Sequence, residues 1–230
     1  MNEADRILEE HRRRGREIPA GFYDLDRPAN LFLRHGQERA LRDALERSGL
    51  LPLSGRRLLE VGCGSGNWLE ILERFGARRE ALAGIDLDPG RTAACSARFP
   101  AADIRSGDAS VLPWESGSFD IVFQSTVFSS ILDPGMRRAV ASEMLRVLAP
   151  GGAILWYDFF VDNPANPNVR GVRRREVEAL FPGCRVELRR ATLAPPLARR
   201  VVPVSWTVAV MLESLRMFDT HYLGVIRHGA

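Results

Sequence analysis

The sequence predicts an open, doubly wound α/β sheet, and three observations predict it. From about residue 56 onward, short apolar runs alternate with amphipathic stretches of helical length. The run from Ala153 to Phe159 is nearly all apolar, as a strand buried on both faces must be. Glycines follow the strand-like runs and Pro-Gly pairs bracket the helical ones. Strands and helices in alternation connect by right-handed parallel crossovers, which put helices on both faces and a ligand at the carboxyl ends of the strands.

Each element follows in order. Residues 7–16 form a charged helix, and residues 29–48 carry Leu33, Ala40, Leu41, Ala44 and Leu45 at helical spacing, so residues 1–50 read as an N-terminal helical cap. Residues 57–61 are a strand, Gly62, Gly64 and Gly66 turn the chain, and a helix over 67–75 stops at Gly76. A second strand covers 81–87. Asp88 caps the helix that Pro89 opens and that runs to about 99. Short strands follow at 104–107 and 119–124. Asp133-Pro134-Gly135 starts a helix through 148, which Pro150-Gly151-Gly152 stops ahead of a fifth strand at 153–159. The last third is less regular: an Asn/Pro loop over 162–168, a helix at 173–180, a strand at 184–188, a break at Pro195-Pro196, a helix at 204–217 and a strand at 221–227.

Composition bounds the chemistry. The 230 residues are 45% hydrophobic and 27% charged, enough to bury one core and inconsistent with disorder. All 32 basic residues are Arg, so lysine Schiff bases and phosphate-loop lysines are excluded. The pI near 9.1 is nearly offset by 29 acids and comes from scattered arginines, so no nucleic-acid partner is expected. Cys63, Cys95 and Cys184 form no CxxC pair, which argues against a disulfide framework or zinc cluster and suits a reducing cytoplasm. The N-terminus lacks the apolar core of an export signal. The most apolar late run, 201–212, is well short of the roughly 20 residues of a membrane span and reads as a buried or lid helix.

The strongest chemical signal is LLEVGCGSGNW at 58–68, a buried strand running into alternating glycines and then a helix. Glycine allows a ligand to approach the backbone closely, and GxGxG differs from the GxGxxG of a dinucleotide site. Glu60 stands at the end of the first strand. Asp86 ends the second, 20 residues after Gly66, where a carboxylate can accept from both hydroxyls of a ribose. Asp108 closes the third, placed to accept from an adenine amino group. Together these acids outline an adenosine.

Over residues 50–160 the chain resembles the class I S-adenosylmethionine-dependent methyltransferases. LLEVGCGSGNW is similar to that family's first motif, GIDLDP to its second-strand motif, GDASVLPWESGSFDIVF to the segment between adenine loop and fourth strand, and LRVLAPGGAILWYDF to the helix and strand that follow. The resemblance, to the type 11 and type 12 domains in particular, implies a Rossmann-like seven-stranded sheet, mostly parallel with an antiparallel last strand. It also implies S-adenosylmethionine as cofactor, and residues 51–230 as the methyltransferase domain, with substrate-shaping insertions at about 160–183 and 190–219. Gly62, Cys63 and Gly64 would line the methionine part, Glu60 would steer its ammonium and Asp86 would hold the ribose. Leu87 would pack on adenine, Asp108 and the Ala109 amide would read it, and Gln124 would face the methionine carboxylate or the methyl group.

Methyl transfer from a sulfonium is an in-line displacement in which positioning supplies much of the rate, and a base helps where the acceptor is a hydroxyl. Asp158, ending the fifth strand, is the first candidate base, followed by His35 in the cap and His221 before the last strand; His11 and His228, in charged termini, rank lower. Tyr23 and Tyr157 could line an acceptor pocket, whereas core packing suits Trp156 better. Arg170, Arg199 and Arg200 could hold an anionic acceptor. Gln124-Ser125 and Asp158-Phe159 make a poor divalent-metal set, so no metal is expected.

The pattern supports a small-molecule methyltransferase, O-methylation first and N-methylation second, working as a monomer or homodimer. The amino-group DNA class, the cytosine C5 class and the protein-arginine class each need a motif after the fourth strand that is missing here. Two further readings stay open: an enzyme for a lipid-linked glycan whose 201–212 segment docks on a membrane, and a non-catalytic S-adenosylmethionine-binding protein.

Overall fold

A computed structural model describes residues 2–229 apart from 164 and 165, so Pro164 and Ala165 of the Asn/Pro loop lie outside the described residues. Seven strands form one sheet in the order β3-β2-β1-β4-β5-β7-β6. They are β1 (Leu58–Val61), β2 (Leu82–Asp86), β3 (Asp103–Ser106), β4 (Phe119–Ser125), β5 (Leu148–Phe159), β6 (Cys184–Leu193) and β7 (Asp219–His228). The β3-β2-β1-β4-β5 run is parallel, and β7 is antiparallel to both its neighbours. The doubly wound sheet with an antiparallel last strand is the fold the sequence predicts.

The helices are α1 (Glu3–Glu17), α2 (Pro28–Arg47), α3 (Asn67–Arg74), α4 (Pro89–Arg98), α5 (Pro134–Val147), α6 (Arg174–Leu180), α7 (Pro195–Val201) and α8 (Trp206–Ser214). Their starts carry the expected caps. Asp88 accepts from the Gly90 and Arg91 amides, and Asp133 from the Met136 amide, each followed by Pro at the first helical position. The N-terminus is pinned across the body: Glu3 accepts from the Leu132 and Asp133 amides, and Glu10 from the side chains of Asn166 and Asn168.

Side-chain parity divides the core in two. One face of the sheet packs Leu58, Phe123, Leu155, Tyr157 and Leu223 against Leu41, Leu45, Trp68 and Leu69 of α2 and α3. The other packs Leu59, Val61, Val122, Trp156 and Ile226 against Val140, Met144 and Val177 of α5 and α6. A one-residue step along a strand therefore changes which layer a side chain enters.

Three segments depart from expectation. The Pro150-Gly151-Gly152 stop is a bulge inside β5, because Gly151 takes a positive φ of 73° and Gly152 has no room for a Cβ beside the Asp120 carbonyl. Pro195-Pro196 does not break structure but opens α7, where their fixed φ suits the first turn. The 201–212 run is not one buried helix: a turn after Val201 splits it, and Ala209 is the only residue of α8 that is buried.

Candidate active site

The carboxyl ends of β1, β2 and β4 lie level, with Val61 opposite both Ile85 and Gln124. The glycine turn is stitched to β2 there: the Gly62 and Cys63 amides donate to the Ile85 carbonyl at 2.8 and 3.0 Å, and the Gly64 amide to Asp86 Oδ2 at 2.9 Å. Asp86 Oδ1 accepts the Asp88 amide at 2.9 Å. Gly62 must be glycine, since at φ 73° a Cβ would fall 2.4 Å from Val127 Cγ2. Gly64 also has positive φ, but a Cβ there would meet nothing within 4 Å, so its space opens away from the protein.

Two adjoining cavities meet at this turn, sharing Gly62, Ser125 and Thr126. The first, about 450 Å³, is lined by Ile85, Asp86, Leu87, Gly107 and Ala109 from the β2 and β3 ends, and is closed by Ile7, His11 and Arg14 of α1. The second, about 500 Å³, has Glu60, Cys63, Gly64 and Trp68 on one wall, and Tyr157, Thr192 and His221 on another. Arg34 and Gln37 of α2 and Arg199 of α7 complete its lining.

Glu60 is buried, and its Oε2 has no hydrogen-bond partner. Burial first, then the charges of Cys95 and Asp86, raise its pKa well above the ordinary carboxyl value. A lone buried carboxyl oxygen facing a cavity is a site for a cationic group. Arg34 is half-buried over the Trp68 ring and has no hydrogen bond or ion pair among the described residues. A carboxyl with one free oxygen and a guanidinium without a hydrogen bond, on one cavity, match the ammonium and carboxylate of an amino acid. The first cavity, with Asp86 on its wall, has the lining of a nucleoside site. The residues thus fit S-adenosylmethionine.

Opposite the glycine turn, the Tyr157 hydroxyl contacts Thr192 Oγ1 at 2.8 Å and accepts from Gln37 Nε2 at 3.1 Å. Burial pushes its pKa upward, so it stays a neutral donor. His221 stacks on the Tyr157 ring, centroids 4.9 Å apart, with Nδ1 3.0 Å from Thr220 Oγ1. Burial lowers the His221 pKa to about 4, which leaves the imidazole neutral at physiological pH.

Several predicted residues stand elsewhere. Asp158 lines neither cavity: one residue beyond Tyr157 it enters the opposite layer, fully buried, accepting the Ser129 and Phe159 amides at 3.1 and 2.9 Å. Burial raises its pKa to about 7. Gln124 lies inside β4, not after it, and its amide group is spent on the Val127 N–H and the Tyr157 carbonyl. His35 is solvent-exposed on α2, edge-on to Trp206. Asp108 accepts its own loop's Ser110 amide at 2.8 Å, while its neighbours Gly107 and Ala109 line the cavity. Arg170 pairs with Glu176, away from the site. Trp156 is in the core, as its residue type suggested.

Residues that the sequence ranked low, as it did His11, or did not mark at all also enter the site. His11 lines the nucleoside cavity with a buried, unpartnered Nδ1, and burial and Arg91 lower its pKa. Arg34, Gln37 and Thr192 come from segments whose sequence carries no motif; only the fold brings them to the strand ends. Among the described residues, no three His, Cys, Asp or Glu side chains converge as a metal site.

A family model described as a methyltransferase domain matches residues 59–156. The phthiotriol/phenolphthiotriol dimycocerosates methyltransferase of Mycobacterium leprae is 32% identical over 68% of this chain and 62% of its own length. A protein of the same name in Mycobacterium ulcerans is matched over 50% of its length, so the chain spans about half to two thirds of these relatives. The 27-O-demethylrifamycin SV methyltransferase of Amycolatopsis mediterranei is 30% identical over 88% of this chain and 77% of its own. A solved S-adenosylmethionine-dependent methyltransferase from Archaeoglobus fulgidus shares the fold at 19% identity, with a TM-score of 0.55 over 85% of this chain and 97% of that one.

Proposed function

The chain belongs to the S-adenosylmethionine-dependent methyltransferases, and from that premise we propose that it methylates a hydroxyl of a small molecule held between the glycine turn and the β5–β7 wall. The cofactor, when bound, supplies an electrophilic methyl group. The observation that carries the reading is the position of His221, on the wall of the cavity opposite the turn and stacked on Tyr157; burial, which lowers its pKa to about 4, favours the neutral ring. In the tautomer whose Nδ1–H donates to Thr220 Oγ1, Nε2 is left to accept the acceptor hydroxyl's proton, and Tyr157 orients the ring by stacking. One relative bears on the choice of atom, since the Amycolatopsis protein's name specifies an O-methylation.

The remaining roles follow from the contacts above. Asp86 holds the ribose, with Leu87 on the adenine edge and the Ala109 amide beside it. Glu60 takes the ammonium and Arg34 the carboxylate, Gly64 gives the approach, and His11 closes the nucleoside cavity from above. Residues 1–50 act as a cap on the 51–230 domain, and the segments at about 160–183 and 190–219 shape acceptor choice, with Arg199 contributing from α7.

Isothermal calorimetry with S-adenosylhomocysteine tests the cofactor half of this assignment. Binding should weaken about a hundredfold in Asp86→Ala, because its carboxylate organises both ligand and loop. No heat at near-millimolar ligand, or unchanged affinity in the variant, sinks it. Glu60 adds a second signature. Burial raises its pKa and an ammonium beside it would lower it again, so binding should be linked to proton release, read as a dependence of the heat on buffer ionisation enthalpy that Glu60→Gln diminishes. Turnover assays with hydroxyl and amine acceptors decide the rest: transfer to amines alone, indifferent to His221, would point to N-methylation instead.

A further inference from the structure

Eight of the twelve large apolar side chains that the fold leaves exposed, among the described residues, fall between Val204 and Phe218. Val204 is 87% exposed, Met217 71% and Met211 62%, values that no core or helix-pairing role explains. On α8 the inward side, Ala209 and Leu212, packs on Phe32 and Ala198, and Trp206 stands edge-on to Phe32 at 5.1 Å. The outward side carries Val208, Val210, Met211 and Leu215 around Thr207 and Ser214, with no charge at all. A surface helix ordinarily reverses that pattern.

The charges beside this face are of one sign. From 195 to 218 the chain has three arginines, Arg199, Arg200 and Arg216, and one acid, Glu213. Glu213 is neutralised by Arg39 of α2, and the nearby Asp219 is buried against Arg216. Arg200 is exposed and has no partner among the described residues. Uncharged apolar residues, a tryptophan at the edge and two arginines without an acidic partner, Arg199 and Arg200, are complementary to an anionic bilayer surface, where apolar side chains enter the acyl boundary and guanidinium groups meet phosphates. The helix just ahead of this face, α7, reaches the second cavity, which Pro195 and Arg199 line.

We propose that α8 and its flanking turns, residues 204–218, dock this protein on anionic lipid surfaces beside the mouth of its acceptor cavity. The proposal goes beyond the methyl-transfer reading and does not depend on it, since docking requires neither cofactor nor turnover.

Flotation of the full chain with vesicles of phosphatidylcholine, alone or mixed with phosphatidylglycerol, tests it. The expected result is recovery with the mixed vesicles and loss at high salt. Binding should weaken at least about tenfold in the Val210→Ser/Met211→Ser/Leu215→Ser variant, and severalfold in Arg200→Glu. S-adenosylhomocysteine affinity and thermal midpoint should be retained in both, which reports on folding separately. Failure to float with either vesicle, or flotation unaffected by the variants, overturns the proposal. So does light scattering that shows a dimer which the triple substitution splits, because the face would then belong to a second copy of the chain.

Discussion

The two walls of the active site are built by different means. On the glycine-turn wall the backbone does the positioning: amides of Gly62, Cys63 and Gly64 bond to β2 and its Asp86, which is the last residue of β2, and Glu60 stands one residue before the end of β1. On the β5–β7 wall the backbone is antiparallel sheet, interrupted at Thr192, whose φ is 66°. Function there rests on which side chains share a face, with Tyr157, Thr192 and His221 meeting from three strands. The first wall is a local device that one stretch of chain can specify. The second is a tertiary device, sensitive to single-residue parity.

If the walls divide labour in this way, substitutions should separate binding from turnover. The largest effect belongs to the second wall. His221→Gln should reduce turnover on a hydroxyl acceptor by about 10²- to 10⁴-fold while leaving S-adenosylhomocysteine affinity within about twofold, as measured by single-turnover kinetics and calorimetry. The wild-type rate should show no titration of this base between pH 5 and 8, because the imidazole loses its proton near pH 4. Equal losses in binding and turnover would break the division.

The glycine turn should respond in the opposite sense and less steeply. Gly62→Ala combines a positive φ with a Cβ only 2.4 Å from Val127 Cγ2, so both stability and cofactor affinity should fall, stability by about 1–3 kcal/mol. Gly64→Ala meets open space at a φ that costs about 1 kcal/mol. It should keep its thermal midpoint within a few degrees yet lose about tenfold in S-adenosylhomocysteine affinity. The pair distinguishes a glycine required by packing from one required by ligand approach.

The same contrast explains what the sequence made legible. The sheet, the glycine turn and the placement of Glu60, Asp86, Leu87 and Ala109 around the two cavities were readable because strand, turn and cap signals lie within a few residues of each other. The sequence ranks Asp158 ahead of His221, and no local signal corrects that order. Both sit at the same sheet edge, and only the β5–β7 register, with Asp158 opposite Tyr222 and Phe159 opposite His221, decides which faces the cavity. Arg34 and Gln37 come from a helix more than 20 residues ahead of the first motif, and α2 docking carries them in. The α7 helix was hidden because Pro195-Pro196 signals a break and a helix start equally well.

The smallest expected effect on turnover, none, belongs to Asp158, and it sharpens the parity argument through stability. Asp158 is protonated in the fold up to about pH 7, whereas an unfolded aspartate ionises near 3.8. The native state therefore holds the extra proton, and this group's contribution falls as pH rises from about 4 to about 7, by on the order of 4 kcal/mol. His221 acts oppositely. Its native pKa near 4 lies below the usual 6.5, so the unfolded chain binds the extra proton and stability rises with pH through that window. Denaturant titrations across pH should show Asp158→Asn gaining on the wild type from pH 4 to 7 and His221→Gln losing ground from pH 4 to 6.5. Turnover at neutral pH should be unchanged in the first and lost in the second. An Asp158→Asn enzyme with intact stability and abolished turnover would return the base to the other face of β5.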